Sequence, residues 1–296
     1  MNFFSKGAIT DSEYESLNFP INEHTQRCRD FVECLWRDYS EFADKNFLSN
    51  AKNHFHQRFW EMYLSVTFIR KGYKVIKTPD ESPDVCIQMN GKKLWIEAVA
   101  PGPGTGLDQI PIPEFGKANW VPTDQIALRY LHVLNAKFHN YQKYVSKGIV
   151  GSSDIFVIAI NCNKVPHAYF GSTLPYHVQA LLPIGPPNVI IDVKTDSIVE
   201  TGYSFKDSVV KNSGSKVDKK AFTDPKYSGV SAVMNAIHQV AGYTMNKESL
   251  GIDFDFLHNP LSRNPLGVDT IPWAQNRYVI DEQLFKTRPD NKNEHS

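Results

Sequence analysis

The chain is 296 residues long, enough for one large domain or two small ones, and with 41% hydrophobic and 12% aromatic residues it can bury a sizeable core, which excludes wholesale disorder. Lysine plus arginine and aspartate plus glutamate stand at 32 each, so the formal charge is zero and any groove attractive to phosphates has to be local. Four scattered cysteines (Cys28, Cys34, Cys86, Cys162) with no C-x-x-C pair disfavour a zinc site or disulfide framework and suit a reducing cytoplasm; the acidic start MNFFSKGAITDSEYES is unlike a secretory leader, and no run reaches the ~18 apolar residues of a membrane span.

Residues 1–52 read as a lead-in, loosely tethered over 1–21 and then helical over 23–44, where Cys28, Phe31, Leu35, Tyr39 and Phe42 recur at helical spacing. A second helix is expected over 53–71, with Phe55, Phe59, Met62, Tyr63, Val66 and Ile69 as its apolar stripe and Gly72 where a helix C-cap prefers glycine. A short strand over 73–77 and the turn-rich TPDESP lead to two strands, DVCIQM and KLWIEAV, around Asn90-Gly91. Asn-Gly between β-rich runs signals a tight hairpin, because a type I′ turn needs positive φ at both positions. The Gly/Pro-rich APGPGTGLDQIPIPEFG is a loop long enough to suggest a binding role. Pro122-Thr123-Asp124 opens a helix to about Lys147, and DIFVIAIN (154–161) has the continuous apolar character of a strand buried on both faces. Residues 188–193 read as another strand, KDSVVKNSGSKVDKK as a mobile polar loop, and GVSAVM and DFDFLHNP as late strands. With no repeat and no linker, the pattern predicts one α/β domain over 1–296: the lead-in, a core over 53–162, and a C-terminal elaboration over 163–296. The expected architecture is a mixed central β-sheet flanked by helices.

The hairpin carries the candidate chemistry. With Asn90 and Gly91 at the turn, Met89 meets Lys92, and counting outward Cys86 meets Trp95 and Asp84 meets Glu97, with Cβ atoms ~5 Å apart on one face. Val85, Ile87 and Met89, with Ile96 and Ala98, would form the buried side. Like charges directly opposed are destabilising, and a divalent cation would resolve the conflict: Mg²⁺ takes hard oxygen ligands and often binds through one or two carboxylates. The competing reading is that Asp84 merely ends a turn after Pro83 while Glu97 pairs with a lysine.

A helix with Glu61 (RFWEMYL), a strand, Pro83-Asp84 at a hairpin start (SPDV), Glu97 in an apolar strand (LWIEAV), then a helix and a strand, together resemble the PD-(D/E)XK nuclease superfamily over roughly residues 55–162. The resemblance implies a restriction-endonuclease-like αβββαβ core and Mg²⁺- or Mn²⁺-dependent hydrolysis of phosphodiesters, with DNA as the expected partner and a homodimer possible. It also implies that Asp84 and Glu97 ligate the metal with Glu61 assisting. In that family a lysine two residues after the glutamate orients or activates water. Here that position is Val99, so either the role has moved or the chain is a catalytically silent nucleic-acid- or protein-binding module. Family members exist in which the basic residue sits on the following helix, and Lys137 is the candidate, interrupting the series Ile126, Tyr130, Val133, Tyr141, Tyr144. Equally, Lys137 could snorkel from a boundary position. Lys143 and Arg129 are weaker alternatives, and Glu61 could instead pair with Arg58 or Gln57 on an exposed face. Lys117, Lys143, Lys147, Lys216, Lys219 and Lys220 are candidate backbone contacts on charge alone.

No H-E-x-x-H occurs, His54 and His56 cannot share a helix face, and His258 reads as structural. GPGTG follows the wrong strand and holds too much proline for a nucleotide-binding loop, and no G-x-S-x-G elbow is present.

Overall fold

The computed structural model describes residues 2–89, 91–169, 174–240, 249–281 and 283–287. It begins with α1 (Ser12–Asn18), α2 (Glu23–Tyr39), α3 (Phe47–Ala51) and α4 (Phe55–Arg70). Side chains cap the first two: Asp11 accepts the Glu13 and Tyr14 amides, and Asn22 forms a reciprocal capping box with Thr25. The expected loose lead-in is instead part of the core. Phe3 and Tyr14 are fully buried, and Phe3 meets Phe55 and Trp36 edge-on. This cover explains why α4 is buried on nearly every side, rather than along one stripe. The helix expected to reach residue 44 stops at Tyr39.

Next come β1 (Lys74–Ile76), β2 (Val85–Met89), β3 (Lys92–Val99), α5 (Thr123–Ser146), β4 (Ile155–Asn161), α6 (Tyr176–Leu181), β5 (Ile184–Asp192) and β6 (Ser197–Phe205). They are followed by β7 (Ser208–Val210), β8 (Lys216–Asp218), β9 (Ala232–Ala236), β10 (Asp255–His258), β11 (Gln275–Ile280) and β12 (Gln283–Thr287). Eight of these strands form one sheet in the order β1-β2-β3-β4-β9-β10-β11-β12. β3–β4, β4–β9 and β10–β11 run parallel and the other neighbours antiparallel. The protein is therefore mixed α/β, with a large mixed sheet flanked by helices.

Strand alternation splits the core in two. Ile96, Ala98, Val157, Ala159 and Met234 face α2 and α4, while Trp95, Phe156, Ile158, Ile160 and Val233 face α5 and α6. Every residue of β4 is buried, as its apolar run requires. The hairpin has a second buried side that the sequence reading did not assign: Cys86 and Trp95 lie under α5 just as Val85 and Ile96 lie under α4.

Two segments differ from expectation in kind. The strand expected over 188–193 is the end of β5, which pairs only with β6 and stands outside the main sheet. The polar stretch read as a mobile loop forms the short β7–β8 hairpin, held where Lys219 N donates to Asp207 O at 2.7 Å. No helix among the described residues is long and apolar enough to cross a membrane.

Candidate functional site

The hairpin register is the one the turn dictates: Met89 pairs with Lys92, Cys86 with Trp95 and Val85 with Ile96. Asn90 lies outside the described residues, and Gly91 has the positive φ, 80°, that the turn needs. The ladder ends at Val85, one residue short of the expected Asp84–Glu97 pair. Beyond that point the edge of β3 would expose unpaired backbone, and side chains complete it. Asp84 Oδ2 accepts the Ala98 amide at 2.7 Å, Gln57 Oε1 accepts the Ala100 amide at 2.8 Å, and Gln57 Nε2 donates to the Ala98 carbonyl at 3.3 Å. Asp84 thus caps a strand edge as well as standing next in register.

Glu97 is buried and points to the α5 side. Its Oε1 accepts from Lys137 Nζ at 2.9 Å and Asn140 Nδ2 at 3.2 Å, and its Oε2 from the Tyr144 hydroxyl at 3.1 Å. Residues 137, 140 and 144 occupy one stripe of α5, so a single helix face delivers all three donors. The neighbouring Trp95 is fixed by its indole donating to Asp154 at 3.0 Å. Glu61 is also buried, not exposed, yet its partners are those its own helix offers: Gln57 Nε2 at 2.8 Å and Arg58 Nη1 at 2.7 Å.

These groups share one electrostatic neighbourhood. Burial pushes the Asp84 carboxyl well above the usual carboxylate range; the charges of Glu61 and Glu97 add to the rise, and Lys137 and the Ala98 amide only partly oppose it. Burial likewise raises Glu61 against the pull of Arg58 and Gln57. For Lys137 burial favours the neutral amine, but Glu97 and Asp84 outweigh it and hold the ammonium above its ordinary pKa. Burial also raises the Tyr39 phenol, reinforced by Glu61 and Asp84.

Glu61, Asp84, Glu97 and Lys137 are therefore within electrostatic reach of one another; Gln57, expected only as a partner of Glu61, joins them, and so do Asn140 and Tyr144, which were not expected in the site. The i, i+3, i+7 spacing from Lys137 was the available signal for the last two. Arg129 lies elsewhere, its Nε on the Gly102 carbonyl at 2.9 Å. Among the lysines considered for backbone contact, Lys117 pairs with Glu114, Lys147 with Glu81 and Lys220 with Asp218, while Lys219 is buried with its ammonium on the Ile184 carbonyl. His258 is structural, bonded through both ring nitrogens to Leu266 O and Asn276 Oδ1.

A hard cation would meet carboxylates that are unequally free, since both oxygens of Glu97 and both of Glu61 already accept protein donors. Asp84 Oδ1 has no hydrogen-bond partner among the described residues, and the repulsion on Asp84 is what a cation would relieve. Among the described residues no three His, Cys, Asp or Glu side chains are grouped as a metal cage. No family model, curated protein or solved structure matches the chain.

Proposed function

We propose that the protein is a divalent-metal-dependent phosphodiesterase acting on nucleic acid, with DNA as the expected substrate, built on a restriction-endonuclease-like αβββαβ core spanning α4 to β4. The observation that carries this reading is the 2.9 Å contact between Lys137 and Glu97. Position 99, where the resembled motif has its lysine, lies on the same face of β3 as Glu97, which is the face α5 covers, and Val99 packs there. A lysine arriving from α5 reaches the same place by another route.

Asp84 and Glu97 would hold Mg²⁺ or Mn²⁺ with Glu61 assisting, and the ion would supply Lewis acidity toward water and the scissile phosphate. Lys137, kept protonated by its carboxylate neighbours, places a fixed positive charge where negative charge develops on phosphate. Asn140 and Tyr144 fix the Glu97 carboxylate, and Gln57 ties Glu61 to the Ala98 carbonyl on β3.

A second reading is a catalytically silent binding module on the same scaffold, and one observation favours it: both oxygens of Glu97 already accept protein donors. Plasmid cleavage in Mg²⁺ and in Mn²⁺ separates the two. The enzyme reading expects cleavage by the wild type, loss with Asp84→Ala and Glu97→Ala, and a reduction of roughly 10²-fold or more with Lys137→Met. Equal behaviour of all four proteins would refute it.

A further inference from the structure

α5 is longer than the sheet it covers. Its 24 residues span about 36 Å, whereas the eight residues of β3 span about 26 Å. Lys137, past the middle of the helix, already reaches Glu97 near the end of β3, and Tyr130, two turns earlier, reaches Asn235 near the end of β9 at 2.6 Å, so the first turns of α5 extend past the strand ends. The loop leaving β3 wraps beside that projection and the β7–β8 hairpin closes the other side. Between them lies a cleft of about 550 Å³, its walls including Gly102, Gly104, Gln125, Arg129, His132 and Lys211. Its position outside the carboxyl ends of parallel strands is where open α/β sheets usually bind ligands, and its size is that of a small-molecule site.

Arg129 gives the cleft its chemistry. It is partly buried, and its Nε is pinned by the Gly102 carbonyl, which fixes the plane of the guanidinium. Among the described residues no carboxylate lies within ion-pair reach of it, and its two terminal nitrogens have no protein hydrogen-bond partner. Burial lowers its pKa, the sign of a cation carried without a counter-charge. Gly104, at φ 86°, permits the turn that brings the loop here, and a Cβ there would sit 3.9 Å from Arg129 Cδ. Lys211 adds a second positive charge. Asp108, also in the wall, is the opposing charge, and its carboxylate accepts the Asn212 amide at 2.7 Å.

We propose that this cleft is a second binding site, for a phosphomonoester of nucleotide size. The free fork of Arg129 suits two phosphate oxygens, and Lys211 a third. Asp108 and Gln125 suit the hydroxyl and amino donors of a sugar and base, and inorganic phosphate alone would leave most of the volume unfilled. The proposal shares no ligand with the carboxylate site and stands whether or not that site binds a metal. Arg129 precedes Lys137 by about 12 Å along the helix.

Titration calorimetry of the full chain with the four common nucleoside 5′-monophosphates, their uncharged nucleosides and inorganic phosphate tests it. At least one nucleotide is expected to bind saturably, with nucleosides and inorganic phosphate about tenfold weaker or worse. Arg129→Gln is expected to weaken the nucleotide about tenfold or more, Lys211→Gln less, and Asp84→Ala not at all, with or without divalent ions. Absence of nucleotide binding by the wild type would overturn the proposal, as would inorganic phosphate binding as tightly as any nucleotide, or wild-type affinity in Arg129→Gln. Should Arg129→Gln fail to fold, the exposed Lys211→Gln decides, and an unchanged affinity there counts against the site.

Discussion

The β2–β3 and β5–β6 hairpins are built from the same kinds of residue and end in opposite surroundings. Val85, Cys86, Ile87, Leu94, Trp95 and Ile96 are at most 2% exposed, whereas Val189, Ile190, Ile191 and Ile198 are between 51% and 65% exposed. One hairpin is roofed by α4 on one face and α5 on the other; the other pairs only with itself. The difference reaches the acids that each carries. Asp84 is pushed well up, by burial first and by Glu61 and Glu97 next, while Asp192 on the exposed hairpin is held below its ordinary range by the Lys194 amide. Of the two hairpins, the one that two layers of helix remove from water is the one whose acid is pushed up.

The contrast can be broken at several points. Ile96→Ala removes a side chain from the doubly roofed hairpin and should cost about 2–5 kcal/mol in denaturant unfolding. Glu97→Ala leaves Lys137, Asn140 and Tyr144 without their acceptor and should cost about 1–3 kcal/mol, less than a fully enclosed pair because the lysine side chain keeps 21% exposure. A neutral result for Glu97→Ala would mean that water replaces the carboxylate and the site is open.

Asp84→Asn has the opposite sign. The fold raises the carboxyl pKa, so the folded state disfavours the ionised form, and wild-type stability improves as pH falls through the raised value. The asparagine keeps an acceptor for the Ala98 amide and sheds the charge. In metal-free buffer at pH 7 it should therefore melt higher, by about 1 kcal/mol or less, with the difference shrinking as the wild type protonates. Divalent ions should raise the melting temperature of the wild type and leave Asp84→Asn unmoved. A lower melting temperature for Asp84→Asn at pH 7 would show that the charge itself strengthens the edge cap. The smallest effect belongs to the exposed hairpin: Ile190→Ala should stay within about 0.5 kcal/mol in the same unfolding assay. A loss rivalling Ile96→Ala would mean that something covers β5–β6 in solution.

Much of the central fold was legible from local chemistry. Asn90-Gly91 specified the hairpin register, the all-apolar run from Ile155 marked a strand covered on both sides, and Gly72 marked the end of α4 at φ 84°. The lead-in was misread because Phe3, Phe4 and Tyr14 are too dispersed for any periodic pattern, and they find their partners on α2 and α4 only when the chain has folded. The β7–β8 hairpin was misread because its polar residues give no alternation. In the site, Glu97 and Lys137 stood out as polar residues in apolar patterns, whereas Asp84 was singled out by counting back from the turn and Glu61 by the resemblance. Gln57, Asn140 and Tyr144 are ordinary helix residues whose importance comes only from what faces them.

Side-chain period and turn chemistry act over a few residues, so the strands, their register and the odd polar positions within apolar runs can be read directly from the chain. Which helix roofs which face, and therefore whether an acid stays hydrated or is forced against another acid and a lysine, depends on contacts between residues forty or more positions apart, such as Lys137 with Glu97. Those contacts form only when the layers close, because it is exclusion of water by both layers together that makes the charges interact strongly.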